Sequence, residues 1–301
     1  MKIAVTGGTG FVGGRFLERA LAAEHDLRAL TRTRRQPMPS IEWIDGSLSD
    51  ADSLRRLVTN ADSIVHIAGV INARDPAGFE RGNVEGTLAM LAAATAAGVT
   101  RFVHVSSLAA REPKLSRYGA SKAKAEELVA GSGLDWAIVR PPAVYGPGDR
   151  ETLELFRMAR HRLMLLPPRG HVSLLHVDDL ARLLLVLAER PEPAGVLFEP
   201  DDGHAGGWSH KQLASAIGRA VGRKNLSLSM PKTMLRLGAA VDQLVRRERA
   251  KLSADRAAYF SHRDWVASPG KRPSNDLWEA RISTEQGLAE TASWYRSEDW
   301  L

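Results

Sequence analysis

The opening fourteen residues, MKIAVTGGTGFVGG, restrict the fold of this chain more than any other stretch. Ile3, Ala4 and Val5 form an apolar run, Gly7, Gly8 and Gly10 break it, and Phe11, Val12, Phe16 and Leu17 then recur at helical spacing. The pattern predicts a strand, a tight turn and a helix. Gly7, Gly10 and Gly13 lie at G-x-x-G-x-x-G spacing. That spacing allows a sharp turn and the close approach of a pyrophosphate without Cβ clashes. Amides and dipole at the helix N-terminus favour the negative charge there. An ordinary glycine turn shares these letters, but the strand before it and the amphipathic helix after it favour a dinucleotide site.

Strands and helices then alternate. Asp26 to Thr31 reads as a second strand, Ile41 to Ile44 as a third, Asp62 to Gly69 as a fourth and Arg101 to Ser107 as a fifth, with a long helix from Phe79 to Ala97. Such alternation predicts a doubly wound α/β fold with a parallel sheet, whose ligands gather at the carboxyl ends of the strands. His66, inside the apolar fourth strand, reads as a core histidine. The second strand runs into Arg32, Thr33, Arg34 and Arg35, where an acidic residue would bind the free 2′-hydroxyl of NAD and an arginine would take the 2′-phosphate of NADP. Arg32 therefore favours NADP(H), with NAD(H) as the alternative. A solvated loop charge or stacking on adenine also accounts for it.

Tyr118 and Lys122 are four residues apart in YGASKAKAEELVA and lie on one helical face, and Ser107 ends the preceding strand. A phenol titrates near 10, and lowering it by about three units requires roughly 4 kcal/mol. One ammonium about 4 Å away, at an effective dielectric near 20, supplies about that much. Lys122, aided by an oxidised nicotinamide, would thus make Tyr118 a proton donor and acceptor, with Ser107 holding the reacting oxygen. A Tyr-x-x-x-Lys pair alone is common on helix surfaces. Its position after the glycine turn and four further strands favours catalysis. Leu134 to Gly148 reads as a sixth strand entering a loop in which Pro141 and Pro142 fix a turn beside the expected nicotinamide, with Val144 beyond.

A first domain is expected over residues 1–199, with its core in 1–150 and later sheet strands near 172–177 and 195–198. A smaller α/β substrate lobe is expected over 200–301. A helix from Asp178 to Arg190 has Asp178 as its N-cap. The last third holds a helix near Ser209 to Val221, a strand near Leu226 to Met230 and a long helix from Pro231. Met234, Leu237, Val241 and Leu244 stripe that helix, with Arg246, Arg247 and Arg249 at its end. Packing on the nucleotide domain is the default, and attachment to a membrane surface the alternative.

The chain has 301 residues, no cysteine and a formal net charge of +6. Disulfides, thiolate catalysis and cysteine-based zinc sites are thereby excluded, and no metal site is expected. The basic clusters Arg28 to Arg35 and Arg246 to Arg256 lack interleaved aromatics, so a small phosphorylated cofactor is favoured over nucleic acid. An apolar strand begins two residues from Met1 and no apolar run reaches spanning length. The expectation is a cytoplasmic protein without stable membrane insertion.

The segments TGGTGFVGG, VHIAG, NVEGT, FVHVSS, YGASK, RPPAVYGPG and LLHVDDLA, in this order, resemble the extended short-chain dehydrogenase/reductase superfamily, in its NAD-dependent epimerase/dehydratase group. The resemblance implies a Rossmann domain in which Gly7, Gly10, Phe11, Val12 and Gly13 hold the pyrophosphate and Ala68 and Gly69 border the adenosine. It further implies that Lys122 bonds the nicotinamide ribose, that Ser107, Tyr118 and Lys122 form the catalytic trio, and that Arg32, Ser47, Leu48, Pro141 and Val144 join the cofactor site. A homodimer through helices near Phe79 to Ala97 and Tyr118 to Ala130 is also implied. Two departures stand out: Gly46, Ser47, Leu48 replaces the Gly-Asp-Leu whose Asp contacts adenine, and the stretch from Ser107 to Tyr118 is shorter than in sugar-nucleotide epimerases.

Three functions compete. The first is an NADP(H)-dependent oxidoreductase acting on a carbonyl or secondary alcohol of a small organic substrate. The second is a nucleotide-sugar epimerase or dehydratase with tightly held NAD. The third is a non-catalytic NADP-binding sensor or assembly factor, against which the intact trio counts.

Overall fold

Seven parallel strands in the order β11-β6-β5-β4-β1-β2-β3 form the main sheet of the protein, seen in a computed structural model that describes all residues except 74, 191, 232 and 235–257. The elements follow in chain order as β1 (Lys2–Thr6), α1 (Phe11–Ala22), β2 (Asp26–Thr31), β3 (Ile41–Asp45), α2 (Ala51–Val58), β4 (Ser63–His66) and α3 (Pro76–Phe79). A π-helical turn over Glu80–Glu85 leads into α4 (Gly86–Ala97), β5 (Arg101–Val105), a 3-10 turn (Leu108–Arg111), α5 (Arg117–Ala130) and β6 (Asp135–Val139). Next come β7 (Ala143–Tyr145), α6 (Leu153–Arg160), β8 (Leu163–Leu166), β9 (His171–Val172), β10 (Leu174–His176), α7 (Val177–Glu189) and β11 (Val196–Phe198). The last are β12 (Trp208–Ser209), α8 (His210–Ala220), β13 (Leu226–Ser229), β14 (Asp264–Trp265) and α9 (Thr284–Ser297).

The chain divides into two units. The first comprises Met1–Pro141, Leu180–Glu199 and Pro273–Glu279 and holds the whole seven-stranded sheet. Its strand order reverses between β1 and β4, the switch point at which open α/β sheets bind ligands. Ile64, Phe102 and Ile138 from neighbouring strands pack with Leu54, Leu57, Met90 and Ala94 of α2 and α4 into one core cluster. The near-continuous apolar strands are those of a sheet covered on both faces.

The second unit comprises Pro142–Asp179, Pro200–Arg272 and Ala280–Leu301. It contains a parallel pair β10-β7, a three-stranded sheet β12-β9-β14 and a parallel pair β13-β8. Tyr145, Phe156, Leu174, Ile217, Leu288 and Tyr295 form its core.

The expected boundary at residue 199 is corrected here. Val196–Phe198 joins the main sheet beside β6, but the run 172–177 does not. That run is split at the buried Ser173, whose hydroxyl donates to Asp201 at 2.9 Å, and Leu174–His176 pairs with Ala143–Tyr145. Pro141 and Pro142, which lack amide hydrogens, end the β6 ladder before this pairing begins. A second correction concerns Asp178, which is not an N-cap: α7 starts at Val177, and Asp178 and Asp179 both lie in its first turn. The Asp179 carboxylate instead accepts from the amides of Arg281 and Ile282. The expected stripe beyond Met234, and Arg246, Arg247, Arg249 and the cluster to Arg256, lie outside the described residues.

Candidate active site

The glycine turn meets the strand after the switch point at close quarters. Gly7 has φ +75°, and a Cβ there would lie 2.6 Å from the Ala68 amide nitrogen. A Cβ on Gly13 would lie 2.0 Å from the Gly7 carbonyl oxygen. The Gly10 amide donates to that same carbonyl at 3.0 Å, and Gly10, extended at φ −88°, starts α1 with no side-chain cap. Orphan amides at the first turn of α1 and a backbone free of side chains fit a dinucleotide pyrophosphate. Phe11 and Val12 open α1 beside it. Ala68 and Gly69 follow β4, and the Ala68 amide donates to Thr6 at 3.2 Å.

At the far end of the second strand Arg32 is exposed, as are Arg34 and Arg35. Thr31 is paired with Asp45, the last residue of β3. Ser47 shares a hydrogen bond with Ser49 at 2.9 Å, and Leu48 packs so close to Gly86 that a Cβ there would meet its Cδ1 at 2.7 Å.

Ser107 caps the 3-10 turn after β5, its Oγ accepting from the Ala109 amide at 3.2 Å. Ser116 caps α5, accepting from the Gly119 amide at 3.0 Å, and this fixes the helix that carries Tyr118 and Lys122. The Ser107 side chain acts on the buried Tyr118 phenol, drawing its pKa down against the larger, raising effect of burial. Lys122 is buried, and its Nζ donates to the Val105 carbonyl at 2.7 Å, tying α5 to the end of β5. The Pro141 carbonyl accepts from the Leu108 amide at 3.1 Å, so β6 closes on the same turn. The structure thus assembles the three residues at the carboxyl end of the sheet, with every expected cofactor residue in the same unit except Val144. That residue lies on β7 of the second unit, paired with Leu175.

The electrostatics correct one expectation. In the free protein burial raises the Tyr118 phenol above its usual 10, and the Ser107 side chain lowers it less. Burial also brings the Lys122 ammonium down to about 8, against an opposing pull from Glu126. His66 is held near 3, first by burial and then by the charge on Lys122. It is a neutral core residue, hydrogen-bonded to Thr6 at 2.7 Å and Thr87 at 3.2 Å.

Sequence reasoning missed Asn83. The expected helix from Phe79 contains a π-helical turn that turns this buried side chain inward. Its Oδ1 accepts from the Val70 amide at 2.6 Å, and its Nδ2 donates to the Val70 carbonyl at 3.0 Å and to Ser121 at 2.8 Å. Ser121 in turn donates to the Tyr118 carbonyl at 2.8 Å. Asn83 therefore fastens the loop after β4 to the first turn of α5. The placement of an Asn inside NVEGT, between strand and motif helix, was the available signal.

Residues 3–197 match the NAD dependent epimerase/dehydratase family. The chain belongs to that family, whose members are enzymes. Over 99% of this chain and 96% of its own length, a ceramide reductase of Caulobacter vibrioides is 36% identical to it. A 4-hydroxy-2-methyl-3-oxo-4-farnesyl-3,4-dihydroquinoline-1-oxide ketoreductase of Stigmatella aurantiaca is 32% identical over 67% of this chain and 69% of its own. Among solved structures, MoeE5 in complex with UDP-glucose and NAD shares the fold, with TM-score 0.76 and 22% identity over 99% of both chains.

Proposed function

We propose that this enzyme is an NADPH-dependent reductase that acts on a carbonyl, or in reverse on a secondary alcohol, of a ceramide-class lipid. The placing of Ser107 at the end of β5 beside Tyr118, with Lys122 one turn along the same helix and bonded to the Val105 carbonyl, carries the reading. Nicotinamide held at this site would supply, or in reverse accept, the hydride of the carbonyl carbon. Tyr118 gives its phenolic proton to the carbonyl oxygen, and the Ser107 hydroxyl, held by the Ala109 amide, hydrogen-bonds that same oxygen. Lys122 holds the ribose and stabilises the phenolate that remains. Gly7, Gly10, Phe11, Val12 and Gly13 would hold the pyrophosphate, Ala68, Gly69, Ser47 and Leu48 would border the adenosine, and Pro141 would flank the nicotinamide.

Arg32, exposed at the end of β2 with Arg34 and Arg35, supports NADPH over NADH. The lipid substrate is supported by the full-length similarity to a ceramide reductase and by the farnesyl group in the name of the second relative. The protein works in the cytoplasm as a homodimer joined through α4 and α5, where Leu88 lies exposed on α4. The test is to titrate NADPH and NADH into the purified protein and then supply a ketone-bearing ceramide and a nucleotide-sugar in turn. NADPH consumption with the lipid ketone alone supports the reading. Turnover of the nucleotide-sugar with retained NAD contradicts it.

A further inference from the structure

The parallel pair β8-β13 turns its apolar residues the wrong way for a core. Leu163 pairs with Leu226 and Leu165 with Leu228, so the four leucines share one face of the two-stranded sheet. They are 44%, 63%, 42% and 48% exposed, in that order. Met164 and Leu166 take the opposite, buried face of β8, and Ser227 of β13 is paired with Met164. A shift of one residue along β13 would bury its leucines and expose its serines. In the pairing seen both leucines are exposed, while Ser227 is half-buried and Ser229 exposed. Met234, just after β13, is 56% exposed.

A cationic rim accompanies this face. Arg160 and Arg162 precede β8, Arg223 and Lys224 precede β13, and all four are exposed. The two approaches run side by side, since the Leu226 amide donates to the Arg162 carbonyl at 2.8 Å. Arg169, also exposed, follows the other end of β8. No acidic residue occurs in the sequence between Glu154 and Asp178, or between Asp202 and Met234. Apolar side chains beside cations that form no ion pair among the described residues match the two layers of an anionic bilayer surface, acyl chains and phosphate headgroups. No helix among the described residues is long and apolar enough to cross a membrane, so contact through this face would be peripheral.

We propose that the leucine face of β8 and β13 docks on an anionic lipid bilayer, with Arg160, Arg162, Arg223 and Lys224 on the headgroups. Docking would place the enzyme on the surface that holds a lipid carbonyl substrate. That purpose rests on the reductase reading above, whereas the docking rests on the face and its rim alone.

The test is co-sedimentation of the full chain, without cofactor or substrate, with vesicles of phosphatidylglycerol or of phosphatidylcholine at low and high salt. Wild type should bind the anionic vesicles more tightly, and salt should weaken that binding. Leu165→Thr with Leu228→Thr places strand-favouring β-branched residues at the outward positions and should lower partitioning at least about tenfold at either salt. Arg162→Ala with Arg223→Ala should remove the preference for anionic vesicles and the salt dependence. Should the leucine pair fail to fold, Leu226→Thr alone, at the most exposed of the four, gives the same reading with a smaller loss. Wild type that stays in the supernatant overturns the proposal. So does a leucine variant that binds like wild type, or one that turns a dimer into a monomer while still binding vesicles, which would assign the face to a second copy. Because no turnover is measured, the docking can fail while the reductase reading stands, and the converse.

Discussion

Glu126 and Arg140 meet fork to fork, with Arg140 Nε donating to Glu126 Oε1 at 2.8 Å and Nη2 to Oε2 at 2.6 Å. Glu126 lies one helical turn beyond Lys122, its carboxylate also accepts from Ser106, and Arg140 reaches on to the buried Glu199 at 3.2 Å. One charged cluster thus ties the catalytic helix to the ends of β5, β6 and β11. Glu126 also raises the Lys122 ammonium, which burial has brought down to about 8. Cofactor affinity of the free enzyme should therefore fall as pH rises through about 8, where Lys122 loses its proton. Glu126→Gln removes the opposing charge and should move that inflection to lower pH. Dissociation constants measured across pH 6 to 10 check this; an unmoved inflection removes Glu126 from the tuning of Lys122.

Acid should destabilise the fold through two buried rings. His104 stacks on His66 with centroids 5.4 Å apart, both are fully buried, and neither His104 ring nitrogen meets a hydrogen-bond partner among the described residues. Burial holds His104 well below its ordinary 6.5 and His66 at about 3. Below pH 6.5 the unfolded chain binds protons that these rings refuse, so stability falls with pH until the native values are reached. Between pH 6.5 and 5 His66 should cost roughly 2 kcal/mol, and His104 should add to the loss in the same direction. His104→Phe should remove one of these contributions, and urea midpoints at pH 7 and 5 compare the slopes. Equal slopes in variant and wild type would contradict the assignment.

Gly13→Ala should abolish cofactor binding and cost roughly 1–3 kcal/mol of stability, since the added methyl group meets the Gly7 carbonyl at 2.0 Å. Calorimetric titration and a thermal melt measure the two effects. Wild-type binding by this variant would mean that the turn does not cradle the cofactor.

Arg32→Ala should narrow the preference for NADPH about tenfold or more, chiefly by weakening NADPH. Asp45 ends the adjacent strand, paired with Thr31, and so sets a carboxylate beside the end of β2. Asp45→Asn should therefore widen the preference. Titrating both cofactors into each variant tests this, and equal affinities for the two cofactors in wild type would exclude the phosphate-binding role.

The parts of the site that lie close together in sequence were legible there. The glycine turn and the Tyr118–Lys122 pair depend on local spacing, which strand and helix geometry convert directly into position. Val172–Val177 was not legible as a separate strand pair, because an apolar run has the same letters in a central sheet and in a small one. The strand near Leu226 to Met230 was legible as a strand, but its parallel partner β8, which leaves Leu226 and Leu228 exposed, was not. Asn83 was hidden by a π-turn, which changes the face of a helix without any residue that signals it.

The reductase account turns on Tyr118 as the proton donor, and Tyr118→Phe tests it most directly. NADPH oxidation with a ketone-bearing ceramide should fall at least about a hundredfold, because the proton is lost while the ring keeps its place. NADPH affinity, measured on the same sample, should stay within a few-fold of wild type. Full turnover in this variant would contradict the account.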